Sequence, residues 1–195
     1  MGYKLTSLAN LPFNEKTNMY IFIVGGGGWE GGLDQIIHEN FDKLAADIGG
    51  AAVIVGALTE EFHGQVIEKY LGNNGQELLD SLPALLITDC HPDKLNDDSM
   101  RLLIPLSGAH ENYPVINQFL SDLTSFARGE SDVLLKNLEK SIDPKAATND
   151  IVKVNIPVVP GVISINMNGA VKNLREWWNN NAHNKQIHPT QKTRG

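Results

Sequence analysis

The sequence predicts an α/β protein, and three observations support this class. Short runs of β-branched and aromatic residues alternate with stretches whose apolar residues recur every three or four positions, as strands and helices do. Glycine pairs and prolines separate these segments. The chain of 195 residues is 42% apolar, which is enough to build a sizeable core. We therefore expect one main domain over residues 19–140, after an irregular lead-in over residues 1–18.

Two strands and two helices are predicted in the first half of this domain. Residues 19–24 form a β-branched and aromatic run that ends at glycines, which is typical of a buried strand. The apolar residues between Leu33 and Ile48 follow helical spacing, and a glycine pair ends that helix. The apolar run 51–58 predicts the second strand. Thr59 is a suitable N-cap for the helix that follows it.

The second half of the domain contains two further strands whose relative direction can be predicted. Ala84–Thr88 is an apolar run that comes directly after Pro83, and residues 100–106 form the next run. The polar link between these runs is too short for a crossover helix, so we expect the two strands to be antiparallel. Helical spacing then predicts a helix over residues 115–126 and a shorter one over residues 132–140.

The chain changes in character beyond residue 140. A polar segment with one proline precedes alternating apolar residues that are typical of a β-hairpin, and a final helix follows. We interpret residues 141–178 as a C-terminal extension made of this hairpin and helix. Residues 179–195 are expected to form a flexible basic tail. A hairpin at a sheet edge can pair with another chain, which favours self-association or assembly into a complex.

The predicted order βαβαββα, which ends near residue 127, resembles the thioredoxin-like fold, a three-layer α/β sandwich. The residues that carry the resemblance are Ile21–Val24 as the first strand, the loop Gly25–Gly32, the helix from Leu33, and Pro83 ahead of Ala84–Ile87. In that family a cis-proline lies at the start of the third strand, beside the redox loop, and Pro83 matches this position. The resemblance implies a thioredoxin-like sandwich to which the C-terminal β-hairpin and helix are added.

The sequence departs from that family at the residues that carry its chemistry. The family's redox cysteines lie between the first strand and its helix, where the helix N-terminus lowers the thiol pKa. The loop Gly25–Gly32 has no cysteine, and the single cysteine of the chain is Cys90. The resemblance therefore implies a redox-inactive member that uses the same face to bind partners. Cys90 and His91 are adjacent on an extended segment, where side chains point in opposite directions. We accordingly predict no catalytic residue, no cofactor and no metal site.

The glycine loop also supports a second hypothesis, in which it binds a nucleotide or another phosphorylated ligand. The segment from Gly26 to Gly31 satisfies the pattern G-x-G-x-x-G between a strand and a helix, where backbone N–H groups can cradle a phosphate. The acidic residue that a dinucleotide site places about 20 residues further on is missing. The candidate ligand-binding residues of this alternative are Gly26, Gly27, Gly28, Gly31 and Gly32.

Under the first hypothesis the protein is a non-catalytic interaction or assembly module. The expected partner-binding residues are Trp29, Glu30, Pro83, Trp177 and Trp178. An aromatic side chain on a glycine-rich loop is a reasonable contact residue, although Trp29 can equally pack on its own helix. Trp177 and Trp178 belong to the final helix, which we expect to serve as an added docking element.

Charge and composition limit the partners and the compartment. The net charge of −7 disfavours nucleic-acid binding. The segment from Lys172 onward holds five basic residues and one acid, a net +4. Nucleic acid is therefore expected only through the basic tail in which this segment ends. No signal peptide and no membrane span are predicted, and one unpaired thiol favours the cytoplasm. The expected partner is another protein or a second copy of the chain.

Overall fold

Six strands form one mixed sheet within the part of the chain that the computed structural model describes, residues 1–25, 37–72, 82–96, 99–106, 116–140 and 162–164. The strands are β1 (Gly2–Leu5), β2 (Tyr20–Val24), β3 (Val53–Ala57), β4 (Ala84–Thr88), β5 (Arg101–Pro105) and β6 (Val162–Ser164). Their spatial order is β1-β3-β2-β4-β5-β6, and β4 is antiparallel to both of its neighbours. The predicted α/β class and the predicted antiparallel pair are confirmed.

Helices cover both faces of this sheet. They are α1 (Phe41–Ile48), α2 (Glu60–Leu71), α3 (Ile116–Ala127) and α4 (Val133–Lys140), with short 3-10 helices at Leu8–Asn10 and Pro92–Lys94. The predicted N-cap of α2 is confirmed, because Thr59 Oγ1 accepts a hydrogen bond from the Phe62 amide at 3.4 Å. A cap of this kind satisfies one of the amides that the first turn of a helix leaves without a partner.

Alternate residues of β2 face opposite sides of the sheet and enter two separate apolar layers. Ile21 and Ile23 pack with residues of α1, α3 and α4, whereas Phe22 and Val24 pack with residues of α2. Strands β2, β3 and β4 are buried along their whole length. This burial on both faces explains why their sequences are nearly continuous apolar runs. The sheet is therefore the middle layer of a helix–sheet–helix sandwich.

The prediction of an irregular lead-in over residues 1–18 is wrong at Gly2–Leu5, which forms β1 and pairs in parallel with β3. The four residues are alternately exposed and half-buried, so they lack the apolar run by which a buried strand is recognised. Gly2 permits the pairing, because a Cβ atom there would collide with Ala45 Cβ and lie 3.0 Å from Phe41 Cε1. The strand forms because the edge of β3 is available and Gly2 fits against α1, and the local sequence shows neither of these contacts.

The C-terminal extension contributes a strand to the main sheet. Val162–Ser164 forms β6, which pairs in parallel with Arg101–Leu103 of β5. It therefore lies at the sheet edge opposite β1. The rest of the predicted hairpin, the final helix and the basic tail lie outside the described residues.

Candidate functional site

Three residues that adjoin the ends of three strands lie at the same end of the sheet, where β2 has its carboxyl end. The β2–β3 register pairs Phe22 with Val55, and the β2–β4 register pairs Val24 with Ala84. Continuing the β2–β4 register by one residue places Gly25 opposite Pro83, and Leu58 follows the last residue of β3 at the same end of the sheet. Open α/β sheets bind ligands at such a place, where the chain leaves a central strand and the connections diverge to both sides. We refer to Gly25, Leu58, His63 and Pro83 as the β2 corner.

Pro83 is tied to the next strand of the sheet. The Leu82–Pro83 peptide bond is cis, which is the geometry that the resemblance implies. The Pro83 carbonyl accepts a hydrogen bond from the Leu106 amide at 2.8 Å, so the residue is held against the end of β5. Its side chain is half-buried. Pro83 is therefore a fixed, partly accessible element of the β2 corner.

His63 reaches the β2 corner from the first turn of α2. The Gly25 amide donates a hydrogen bond to His63 Nδ1 at 3.2 Å, in a buried contact between residues 38 positions apart. The side chain is 7% exposed. Burial lowers the pKa of the imidazole, and the nearby Glu60 carboxylate opposes this only in part. The ring is thus held neutral, with its proton on Nε2, as a backbone acceptor at the end of β2.

The exposed surface at the β2 corner is formed by one apolar side chain, Leu58, and two neighbouring carboxylates. Leu58 follows the last residue of β3 and is 56% exposed. Its amide donates to the Leu5 carbonyl at 2.8 Å, which fixes the backbone against the end of β1. Glu60 and Glu61 are exposed in the next turn, and Glu61 Oε1 accepts from Gln65 Nε2 at 3.1 Å. This composition suits contact with a macromolecule that has apolar and basic groups.

Among the predicted site residues, only Pro83 is placed by the structure. The others lie outside the described residues, namely Trp29, Glu30, Trp177 and Trp178 of the partner-binding set and Gly26, Gly27, Gly28, Gly31 and Gly32 of the ligand-binding set. Sequence reasoning missed His63 and Leu58. The position of each residue in the sequence was the available signal. Leu58 ends a predicted strand and His63 lies one turn after a predicted helix cap, so both are expected at the same end of the sheet as Gly25.

Cys90 and His91 lie at the opposite end of the sheet. The register pairs Thr88 with Tyr20, the first residue of β2, so the segment after β4 is remote from the β2 corner. The Cys90 thiol donates to the His91 backbone carbonyl at 3.3 Å rather than to the ring. The His91 imidazole bonds to the Leu11 carbonyl at 3.1 Å and to the Asp93 amide at 3.3 Å. The two side chains therefore do not form a nucleophile–base pair. This agrees with the expectation that adjacent side chains on an extended segment point in opposite directions.

A polar groove of about 510 Å³ separates α1 from α3. Its two cationic side chains are engaged by neighbouring carboxylates. Lys43 Nζ lies 2.5 Å from Asp47 Oδ2, and Arg128 Nε lies 2.8 Å from Glu130 Oε1. Because these charges are already balanced, the groove is a weaker candidate for a charged ligand than its cations alone suggest.

A metal site and a membrane span receive no support from the described part of the chain. There, no group of three or more His, Cys, Asp or Glu side chains could hold a metal ion. None of the helices described is both long enough and apolar enough to cross a bilayer. No family model, curated protein or solved structure matches the chain in the comparisons made.

Proposed function

We propose that this protein is a redox-inactive, thioredoxin-like module that binds another protein at the β2 corner. Three features support the thioredoxin-like arrangement: the strand order β3-β2-β4-β5, the antiparallel direction of β4, and helices on both faces of the sheet. Pro83 directly precedes β4, which is the position that the resemblance assigns to the family's cis-proline. The arrangement follows the predicted order βαβαββα.

The observation that carries the proposed function is the composition of the β2 corner. The described residues there supply an exposed leucine, a half-buried proline and a neutral imidazole that is bonded to backbone. The thiol of Cys90 lies at the other end of β2. Disulfide exchange needs a thiolate at the reacting surface. Such a surface is suited to contact and offers no nucleophile among the residues described, so binding is the better supported activity.

The partner is a protein segment or a second copy of the chain. Trp29 and Glu30 are proposed to extend the contact surface from Gly25, and Trp177 and Trp178 are proposed to add a docking element from the final helix. Among the described residues, β1 and β6 are the outermost strands of the sheet, and a strand at a sheet edge can pair with a strand of another chain. These edges give the module a route to self-association as well as to capture of a different protein.

Capture experiments with matched surface variants test this proposal. The full chain is immobilised and exposed to extract of its source cells, and bound proteins are quantified by mass spectrometry. We expect Trp29→Ala and Leu58→Ser to lower the recovery of a specific partner at least tenfold, because they remove apolar contact area. Val133→Ser is the control, since Val133 is 38% exposed and apolar and belongs to α4, which packs on the opposite face of the sheet from α2.

Self-association is measured in parallel by sedimentation velocity over a range of concentrations, with the same three variants. Thermal denaturation verifies that each variant is folded. A partner or oligomer that is lost equally in all three variants, or in none of them, would contradict the assignment of the β2 corner as the binding surface.

The alternative function, binding of a nucleotide or another phosphorylated ligand at the glycine loop, receives less support. The first amide of that loop, at Gly25, already donates to His63 Nδ1 and is therefore committed within the chain. A thermal-shift panel of nucleotides and sugar phosphates at millimolar concentration separates the two functions. A ligand at 100 times its dissociation constant adds about 2.7 kcal/mol to the free energy of unfolding, which is a measurable shift.

A further inference from the structure

One hydrogen bond joins the first turn of α2 to the residue that follows β2. The donor is the Gly25 amide and the acceptor is His63 Nδ1, 3.2 Å away in a buried environment. The ring also lies close to the Gly25 Cα, since a Cβ atom added there would be 3.5 Å from His63 Cε1 and from Nε2. The imidazole therefore lies directly against the Gly25 backbone.

This hydrogen bond exists only while the ring is neutral. A neutral imidazole has one donor and one acceptor nitrogen, whereas both nitrogens are donors in the charged form. Protonation of Nδ1 would place its N–H against the N–H of Gly25, so two donors would face each other. The same step would put a positive charge on a side chain that is 7% exposed.

Within the described part of the chain, α2 and the end of β2 both place groups against the His63 ring, and only α2 contributes a charged one. From α2 itself the Glu60 carboxylate favours the protonated ring, while Phe62 contributes an aromatic edge at 6.4 Å between ring centroids. From the end of β2 the ring meets Gly25, which has no side-chain charge. Burial outweighs Glu60, so the pKa of His63 lies below its ordinary value of 6.5.

We propose that His63 is a pH-responsive switch for the β2 corner: the neutral ring holds the Gly25 amide in place, and protonation releases it. Gly25 then loses a fixed hydrogen bond, and a glycine backbone has more conformations open to it than any other residue. Because Gly25 joins His63 to the end of β2 opposite Pro83, its release loosens the corner. The consequence for binding, weaker capture of the partner as the pH falls, rests on the proposed function, whereas the switch itself does not.

NMR spectroscopy of the full chain tests the switch without a partner. The Gly25 amide resonance and the His63 Cε1 proton are followed from pH 7.5 to pH 5. We expect both to move with one midpoint, below 6.5. We also expect the protection factor of the Gly25 amide, taken relative to its intrinsic exchange rate, to fall by roughly fivefold, as for the loss of one net hydrogen bond.

Three variants sharpen the measurement. His63→Asn replaces Nδ1 with an oxygen acceptor that does not titrate, so the Gly25 resonance is expected to be independent of pH. His63→Phe keeps a ring and removes the acceptor, so the amide is expected to have the low protection at every pH. His38→Asn makes the same substitution at a half-buried histidine elsewhere and is expected to behave like the unaltered chain. A Gly25 resonance that does not move through the His63 titration, or that keeps its protection in His63→Phe, would overturn the switch.

The binding consequence has its own readout. The capture experiment is repeated at pH 7.5 and pH 5.5 with the unaltered chain and with His63→Asn. We expect recovery of the partner to fall about fivefold at the lower pH for the unaltered chain and to stay constant for His63→Asn. Equal losses in both chains, while Gly25 titrates as expected, would refute the coupling of the switch to binding. Failure of every corner variant to change capture refutes the proposed function and leaves the NMR result as the test of the switch.

Discussion

The contact between Phe41 and two glycines leads to a prediction about how tightly α1 packs on the sheet. The Phe41 side chain is 2% exposed and lies over Gly2 of β1 and Gly56 of β3. A Cβ atom at Gly56 would lie 3.1 Å from Phe41 Cε2 and 3.4 Å from Cδ2. The shorter distance is below ordinary van der Waals contact, so Gly56→Ala requires the buried ring to shift by a few tenths of an ångström in a close-packed region.

The expected size of the effect follows from this overpacking. An extra methyl group in a well-packed core costs about 1–3 kcal/mol. Phe41→Leu removes the ring that is in the way but also loses its packing, including the Lys4 ammonium 5.0 Å from the ring centroid, at a cost on the order of 1–2 kcal/mol. In the double variant the smaller side chain makes room for the new methyl group. The combined loss should therefore be smaller than the sum of the single losses by about 1 kcal/mol.

Urea denaturation followed by circular dichroism measures these free energies of unfolding. Gly64→Ala is the control, because Gly64 lies in the exposed part of α2 and a methyl group added there would have no neighbouring atom within 4 Å. That substitution should raise the free energy of unfolding by about 0.5–1 kcal/mol through helix propensity. A neutral Gly56→Ala variant, or losses that simply add in the double variant, would refute the described packing of α1 on β1 and β3.

Three further predictions concern a histidine, a buried cation and the thiol. Because the folded-state pKa of His63 lies below the unfolded value of 6.5, the unfolded chain takes up the proton first as the pH falls. The free energy of unfolding should therefore decrease below pH 6.5, and urea titrations of His63→Asn should lack that part of the decrease. Arg101 is 6% exposed and donates to the carbonyls of Ser99, Tyr70 and Asn96 at 3.0–3.3 Å, so Arg101→Met should cost about 3 kcal/mol in urea denaturation. The half-exposed Arg128 is the control, for which Arg128→Met should cost less than about 1 kcal/mol, and equal losses would contradict the buried network. Alkylation of Cys90 with iodoacetamide should leave partner capture unchanged, because the thiol lies at the far end of β2 from the corner; capture lost on alkylation would place the binding surface elsewhere.

The central part of the fold could be predicted because local sequence determines it. Strands β2, β3 and β4 are buried on both faces, so each is a nearly continuous apolar run that is recognisable without its neighbours. The short polar link after β4 could only join antiparallel neighbours. Thr59 is recognisable as a cap because capping is a contact between residues three positions apart.

The remaining features depend on contacts between distant residues, and the local sequence carries no sign of them. Strand β1 exists because Gly2 fits against α1 and pairs with β3, more than 50 positions away. His63 occupies a polar stretch of sequence, and its role depends on a hydrogen bond to Gly25 across 38 positions. Leu58 ends an apolar run, and only its place beyond the last residue of β3 distinguishes an exposed leucine from a buried one.

Site-specific photocrosslinking tests the central claim most directly, because it reports which surface touches the partner. The photoreactive residue p-benzoylphenylalanine is placed at position 58 in one chain and at position 133 in another, since both native side chains are exposed and apolar. If the β2 corner is the binding surface, irradiation in extract, or at high concentration of the pure chain, will yield a discrete adduct from position 58 and none from position 133. An adduct from position 133 alone, or no adduct from position 58 under conditions in which capture is observed, would contradict the assignment.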